Sequence, residues 1–397
     1  MRDKKKKIIV VILLIILMLG ICSLIIYDKF IGTGTNTKTI TTKSSTTSNK
    51  NTITLSDSYS ITKGGEYSFT GTIKNGSITV DTDEDVTISL TDVSITNSSG
   101  PAINVINAKN VYLKIEGSNT LEATVNEDTD ACVYSKDDLE IEGSGSLTVN
   151  SNLDGITSKD DLVIKSGTYV INSEDDAIKG KDSVTIENGK FTINAKGDGI
   201  KTTNDEDTKK GVITINGGKF DITTVKDGFD SSNIITINKG TLTINSEDDG
   251  IHADGMLEIN NGTLNITAVE GLEATYVKIN DGTINISASD DGINAANKSS
   301  NYDVVAEING GNITIKMGQG DTDGIDSNGN LYINGGTINI TCNSPFDYDG
   351  EAKYTGGKMI INGEETTEIT NQFMGGPGEG GMQGDPNNRQ GGFDRRR

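Results

Sequence analysis

Apolar and polar residues alternate along many short segments of the chain, and turn signals separate these segments. Two clear examples are IENGKFTIN (residues 186–194) and INNGTLNIT (residues 259–267). Alternation with a period of two is typical of β-strands that bury one face, and Asn-Gly is a strong turn signal. The pattern therefore predicts many short strands joined by tight turns.

A second motif recurs between these strands: an acidic residue, then Gly or Ala, then a large apolar residue. Its copies follow one another at spacings of 22, 22, 29, 22, 21, 21 and 32 residues. A period near 22 residues that contains three strands and three turns is typical of one coil of a parallel β-helix. Leucine-rich, propeller and helical repeats fit less well, because Thr, Ile, Val and Asn dominate the unit. We therefore predict an all-β, single-stranded parallel β-helix over residues 51–363.

Composition agrees with a thin core and excludes several classes of function. Only 33% of the 397 residues are hydrophobic and 5% are aromatic, too few for a thick globular core. One histidine and three cysteines cannot build a His-based zinc site or triad, nor a disulfide scaffold. The 57 acidic residues outnumber the 35 basic ones, which argues against a nucleic-acid partner.

The two ends differ from the repeat region. An apolar run of 19 residues, 8–26, follows Lys4–Lys7 and predicts a single-pass membrane anchor with the β-helix outside the cell. A cleaved signal peptide and a lipid-modified Cys22 are the alternatives. We assign 1–30 to the basic stub and N-terminal transmembrane helix and 31–50 to a Thr/Ser-rich linker. We predict that residues 364–397 are a disordered, low-complexity Gly-rich tail.

Register in a β-helix carries the functional prediction. The motif acids should stack about 4.8 Å apart along one corner, and they are Asp154, Asp176, Asp198, Asp227, Asp249, Glu270, Asp291 and Asp323. Two neighbouring carboxylates at that spacing repel by about 3.5 kcal/mol at an effective dielectric constant near 20. Further acids stand beside them, namely Asp175, Asp248, Asp290 and Asp321. Such a density of oxygen donors suits Ca²⁺.

The structural alternative is that each Asp-Gly is only a turn, with the Asp side chain capping backbone N–H groups. Two insertions, 203–210 and 297–305, leave the coil at one corner. We expect them to wall a shallow groove over the acids from Asp227 to Asp291. The alternative is that surface turns tolerate insertions anywhere.

Residues 51–363 resemble a clostridial carbohydrate-binding β-helix family, formerly a domain of unknown function. The resemblance lies in the Asp-Gly-Ile triplets, strands such as NGGTINI (residues 334–340) and the Gly- and Met-rich tail. It implies a right-handed β-helix that binds calcium and acidic plant polysaccharides such as polygalacturonate, with a shape related to pectate lyases. The stacked acids are then the candidate calcium ligands.

These observations predict a monomeric cell-surface protein that binds acidic, pectin-like polysaccharide through Ca²⁺ without catalysis, since Ca²⁺ can bridge carboxylates on both partners. A calcium-assisted polysaccharide lyase with a lysine base is one alternative. Lys179 and Lys201, three residues after a motif acid, and Lys226, next to Asp227, are the candidate ligand-binding residues. A surface adhesin or spacer without a sugar ligand is another alternative. His252 is predicted to be an exposed corner residue.

Overall fold

A computed structural model describes residues 52–319 and 322–371 of the chain. The predicted anchor, the whole of the linker, most of the tail and Asp321 lie outside these residues. The regular elements in the described ranges are all β-strands. No helix in these ranges is long and apolar enough to cross a membrane.

Each coil contributes one strand to each of three sheets. Sheet 1, which carries the acid motif, contains β2 (Tyr59–Ile61), β4 (Ile78–Asp81), β6 (Ile103–Asn107), β9 (Ala131–Ser135), β12 (Asp154–Ser158), β15 (Ile178–Gly180), β18 (Ile200–Thr202), β21 (Phe229–Ser231), the first halves of β24 (Ile251–Ile259) and β26 (Leu272–Ile279), β28 (Ile293–Ala295), β31 (Asp323–Ser327) and β34 (Ser344–Tyr348).

Sheet 2 follows sheet 1 along the chain. It contains the first halves of β3 (Gly65–Ile73) and β5 (Val86–Asn97), then β7 (Val111–Glu116), β10 (Leu139–Gly143), β13 (Asp161–Ile164), β16 (Ser183–Ile186), β19 (Val212–Ile215), β22 (Ile234–Ile237), the second halves of β24 and β26, β29 (Val305–Ile308), β32 (Asn330–Ile333) and β35 (Ala352–Tyr354).

Sheet 3 completes the coil. It contains the second halves of β3 and β5, then β8 (Ser118–Ala123), β11 (Ser146–Ser151), β14 (Thr168–Ser173), β17 (Lys190–Ala195), β20 (Lys219–Thr224), β23 (Thr241–Ser246), β25 (Thr263–Ala268), β27 (Thr283–Ala288), β30 (Asn312–Met317), β33 (Thr337–Thr341) and β36 (Lys358–Ile361). The first strand, β1 (Thr52–Leu55), pairs with the middle of β3.

The strands stack as a parallel β-solenoid of about 14 turns with about 22 residues per turn. This confirms the predicted parallel β-helix, while its right-handed sense stays a prediction. The last strand, β37 (Glu364–Thr366), instead pairs antiparallel with β36 and lies just beyond the predicted boundary at residue 363.

The core is a set of apolar columns, one residue from each coil. Ile156, Ile178 and Ile200 stack in register in sheet 1 and are fully buried. In sheet 3 the Phe191 and Phe220 rings are parallel, with centroids 4.7 Å apart. Each column continues from coil to coil, so a thin core can be buried without a thick layer of large side chains.

A steric constraint explains why glycine occupies the second position of the acid motif. A Cβ on Gly228 would lie 2.5 Å from the carbonyl oxygen of Gly250 in the next coil. At the opposite corner, between sheets 2 and 3, stacked asparagines hydrogen-bond to one another: Asn238 Nδ2 donates to Asn216 Oδ1 at 2.8 Å, and Asn260 Nδ2 donates to Asn238 Oδ1 at 2.9 Å. The asparagine ladder ties each coil to its neighbour, and the glycine allows the backbones of successive coils to approach closely at the acid motif.

Candidate functional site

The motif acids form one row along the corner where sheet 3 turns into sheet 1. We call these eight residues, defined above, the acidic row. The register places Ala131 and Ser344 at its two ends, since Asp154 pairs with Ala131 and Asp323 with Ser344. The turn therefore accepts residues other than acids, and the acids occupy a continuous middle zone.

Within this row most of the aspartates cap the next coil. Asp154 Oδ1 accepts the backbone N–H of Asp176 at 3.1 Å, and Asp176 Oδ1 accepts that of Asp198 at 2.9 Å. The same bond continues to Asp227 and Asp249, and again from Asp291 to Asp323. One carboxylate oxygen is thus structural, as the capping alternative supposed, and Oδ2 is the oxygen that remains for a cation.

A second row runs parallel to the first, three residues later in each coil. We call it the flanking row; in register it comprises Tyr134, Thr157, Lys179, Lys201, Asp230, His252, Glu273, Asn294, Asp326 and Asp347. The two rows together form the outer surface of sheet 1.

In the N-terminal part of this surface, lysines of the flanking row balance the acids. Lys179 Nζ lies 2.9 Å from Asp154 Oδ2 and 3.2 Å from Asp176 Oδ2. Lys201 pairs with Asp198 and, at 2.8 Å, with Asp230. Burial alone lowers the pKa of the Lys179 ammonium, but the charges of Asp154 and Asp176 outweigh it and raise that pKa above its ordinary value. Both lysines are therefore charged partners of buried carboxylates.

His252 corrects one prediction, because it is not an exposed corner residue. Its side chain is 19% exposed, and Nδ1 lies 3.3 Å from Asp249 Oδ2 and 3.1 Å from Glu273 Oε2. Burial lowers the pKa of its imidazole, but hydrogen bonds to Asp249 and Asp254 and the charge of Glu273 raise it to about 11. The imidazolium thus acts as a resident cation. The repeat pattern predicted the position of His252 in the coil, but it did not predict that acidic side chains, including Glu273 of the next coil, would surround the imidazole.

Further towards the C-terminus the surface has fewer cations in proportion to its acids. Lys298, from the second insertion, lies 2.7 Å from Glu273 Oε1, and Asn294 Nδ2 donates to Glu270 Oε2 at 2.9 Å. Asn294 is 8% exposed, and its Oδ1 is buried with no hydrogen-bond partner. The register sets Asn294 directly beside Asp326 of the next coil. This part of sheet 1 therefore combines clustered carboxylates with an amide oxygen that has no donor.

Burial raises the pKa values of acids in both parts, but by different amounts. In the N-terminal part the pKa of Asp154 rises to about 6, with Lys179 opposing the rise. The pKa of Asp227 and that of Glu270 rise to about 8, and that of Asp291 to about 7, again mainly through burial. Ionisation of Asp227, Glu270 and Asp291 is therefore less favourable than ionisation of Asp154.

The other candidates lie outside these rows. Asp175 is half-buried, while Asp248 and Asp290 are exposed, all in the turns that precede the acidic row. Oxygens of Asp154, Asp175 and Asp176 lie within 4.8 Å of one another, although Lys179 already pairs with two of these residues. Lys226 is exposed in such a turn, apart from the flanking row that holds Lys179 and Lys201.

The two insertions lie together at the corner between sheets 1 and 2. Asn233 Nδ2 donates to the carbonyl oxygens of Thr208 and Lys210 at 2.8 and 2.9 Å, and Tyr302 of the second insertion donates to Asn233 Oδ1 at 3.5 Å. They form one continuous rim, and Lys298 extends from it onto sheet 1. That they wall a groove over the acids stays a prediction.

The sequence interpretation missed the acids and the amide of the flanking row, namely Asp230, Glu273, Asn294, Asp326 and Asp347. A signal for them was present: each stands three positions after a motif residue, the same offset that singled out Lys179 and Lys201. Extending that offset through every coil would have found them.

Comparisons with known proteins indicate the family of this chain. A protein-family model described as "Carbohydrate-binding domain-containing protein" matches residues 55–249 and 239–372. The chain belongs to this family. A relative of the same description from Acetivibrio thermocellus is 35% identical over 117 residues, and the match covers 26% of this chain and 41% of the relative. The match thus spans less than half of that relative's length.

A solved structure is similar in fold to part of this chain. It is described as the polysaccharide lyase-like protein from C. thermocellum, in a gadolinium derivative. It superposes on 54% of this chain and on 98% of its own length, with a TM-score of 0.52 and 31% sequence identity.

Proposed function

We propose that this protein binds acidic, pectin-like polysaccharide on the outer surface of sheet 1 through Ca²⁺, and that it does not cleave the polymer. One observation carries the proposal, beside membership of a carbohydrate-binding family. From Asp227 onwards the acidic and flanking rows contain more carboxylates than resident cations, and these acids are Asp227, Asp230, Asp249, Glu270, Glu273, Asp291, Asp323, Asp326 and Asp347.

The residues of this region fit calcium by their chemistry. Ca²⁺ prefers carboxylate and amide oxygens and accepts six to eight of them. Asp291, Asn294 and Asp326 would supply such oxygens, and the buried Oδ1 of Asn294 has no other partner among the described residues. When bound, the ion supplies a positive charge that a uronate carboxylate can share.

The lysines argue for binding rather than for cleavage. A lyase needs a neutral base to remove the proton beside the uronate carboxyl group. Lys179 and Lys201 are each held by carboxylates, and the neighbouring charges outweigh burial and raise the pKa of both. A protonated ammonium cannot accept that proton, so these side chains position charge and do not act as the base.

The cellular location of the protein is part of the same proposal. We infer that residues 8–26 anchor the chain in the cell membrane and that the solenoid, as a monomer, faces the outside. The family resemblance implies the acidic-sugar specificity and the right-handed coil. In this arrangement the Thr/Ser-rich linker, residues 31–50, separates the binding surface from the membrane.

Affinity electrophoresis of the full-length protein through gels that contain polygalacturonate tests the proposal. We expect retardation with CaCl₂ and none with excess EDTA. Retardation that EDTA leaves unchanged would contradict the calcium bridge. Release of unsaturated uronate, followed by ultraviolet absorbance, would show that the protein is a lyase instead, and loss of that release in Lys201→Ala would assign the base.

A further inference from the structure

A groove on sheet 3 is separate from the acidic surface. Its volume is about 560 Å³, and it crosses six coils, from residues 122–124 to Glu247. Five coil steps of about 4.8 Å make it about 24 Å long. It runs along the solenoid axis, so a linear polymer could lie in it.

The floor of the groove is a column of small residues at the ends of the sheet 3 strands. Ser151, Ser173, Ala195 and Thr224 stack in register there. Their outward neighbours form two sides: one is Glu122, Asn150, Asn172, Asn194 and Thr223, and the other is Thr124, Asn152, Glu174, Lys196, Val225 and Glu247. The small floor residues between these longer side chains produce the depression.

The first side presents a regular array of amides. Asn172 Nδ2 donates to Asn150 Oδ1, and Asn194 Nδ2 donates to Asn172 Oδ1, each at 2.9 Å. An amide in such a ladder still has a second N–H and a second acceptor lone pair. The groove therefore offers paired donors and acceptors at a repeat that is close to the length of one sugar ring.

Two further observations indicate a ligand. Thr224 lines the groove and is 2% exposed, and its Oγ1 has no hydrogen-bond partner, whereas the Ser173 hydroxyl of the same column donates to Asp175 at 3.0 Å. Unsatisfied buried hydroxyls are uncommon and often mark a missing partner. Val225, on the rim, is an exposed apolar side chain (47%), suited to the C–H face of a sugar.

Charge decides which polymer fits. The acids on the sides of the groove are Glu122, Glu174 and Glu247, and the single lysine, Lys196, pairs with Glu174. Lys196 offsets only one of the three acids, so an acidic polysaccharide would meet a net negative rim. We propose that the sheet 3 groove is a second, metal-independent site for a linear, uncharged polysaccharide.

The test measures binding of uncharged glycans by the full-length protein in EDTA, with xyloglucan, galactomannan and arabinoxylan in separate affinity gels. We expect retardation by one of them or more. Thr223→Arg, which places a long charged side chain over the groove, should weaken this retardation at least tenfold. Thr214→Arg, at an outward position of sheet 2, is the matched control and should leave it unchanged.

A second variant tests whether the loss of binding in Thr223→Arg comes from misfolding. A second ligand, polygalacturonate, tests whether the groove and the surface of sheet 1 bind independently. Asn194→Leu keeps the size of the side chain but removes the amide, and it should also weaken uncharged-glycan binding. Polygalacturonate retardation in CaCl₂ should be equal in Thr223→Arg and wild type. Binding of none of the three uncharged glycans in EDTA, or equal binding by Thr223→Arg and Thr214→Arg, would overturn the proposal.

Discussion

Two stretches of the sheet 1 surface share one backbone arrangement and differ in how their charge is balanced. Between Asp154 and Lys201, lysines from the chain itself contact the buried carboxylates. Beyond Asp227 the same two rows hold mostly acids, with His252 and Lys298 as cations near Glu273. The acids of the first stretch are paired with lysines, whereas the second stretch holds many more carboxylates than cations, and there we propose that calcium binds. An acidic row is thus not a metal site along its whole length.

The largest effect should come from removing a resident cation. Lys179→Met leaves Asp154, which is 1% exposed, without its ion pair, and breaking a buried pair in this way costs about 3–5 kcal/mol. Urea unfolding measures the loss. Lys196→Met is the control, because its pair with Glu174 is exposed and should contribute less than about 1 kcal/mol. Equal losses in the two variants would refute the internal balance of the first stretch.

Calcium affinity should distinguish the stretches next. The double variant Asp291→Asn with Asp326→Asn removes two carboxylates of the second stretch, and we expect calorimetry to show at least a tenfold weaker calcium affinity. Asparagine keeps an oxygen that can still cap the next coil. The matched double variant, Asp154→Asn with Asp176→Asn, should bind calcium as wild type does. A greater loss of calcium affinity in the Asp154 and Asp176 variant than in the Asp291 and Asp326 variant would place the ion in the first stretch and contradict the proposal.

Stability should depend on pH in a way that separates the stretches. Folding raises the pKa of Asp227 and Glu270 to about 8 and that of Asp154 to about 6. An acid with a raised pKa binds its proton more tightly when folded, so stability falls as pH rises through this window. In EDTA the melting temperature should fall by several degrees between pH 4 and 8.

The part of this fall between pH 6 and 8 belongs to the second stretch. The fall in melting temperature between pH 6 and 8 should be smaller in the double variant Asp227→Asn with Glu270→Gln than in wild type. It should also be smaller in wild type with excess CaCl₂ than in EDTA, because calcium favours the charged carboxylates. A melting temperature that is flat or rises between pH 6 and 8 in EDTA would contradict the charge excess.

A smaller effect tests whether a lysine can replace the ion. Asp326→Lys installs in the flanking row the residue type that Lys179 and Lys201 supply in the first stretch. We expect a modest rise in melting temperature in EDTA and a weaker calcium affinity. Thr185→Lys, on the outer surface of sheet 2, should change neither quantity. A lower melting temperature for Asp326→Lys would show that the two stretches differ by more than charge.

The fold was largely readable from the repeat, and the site only in part. Asp-Gly-Ile triplets at 22-residue spacing place the acids in register, because each residue of a solenoid stacks on the equivalent residue of the adjacent coil. The prediction for His252 failed, since the side chain contacts Glu273 of the following coil as well as Asp249 and Asp254 of its own coil. Lys298 could not be placed, because an insertion has no repeat to align it.

The amino-acid sequence by itself determined the coil length, the parallel stacking and the identity of the acidic row. Only the tertiary structure decided which acids already have a partner. Periodicity specifies the position of a Cα along the coil, but whether a carboxylate pairs with a lysine depends on side chains from the next coil and from the insertions. Those contacts are made across the stack, where sequence separation carries no information about charge balance.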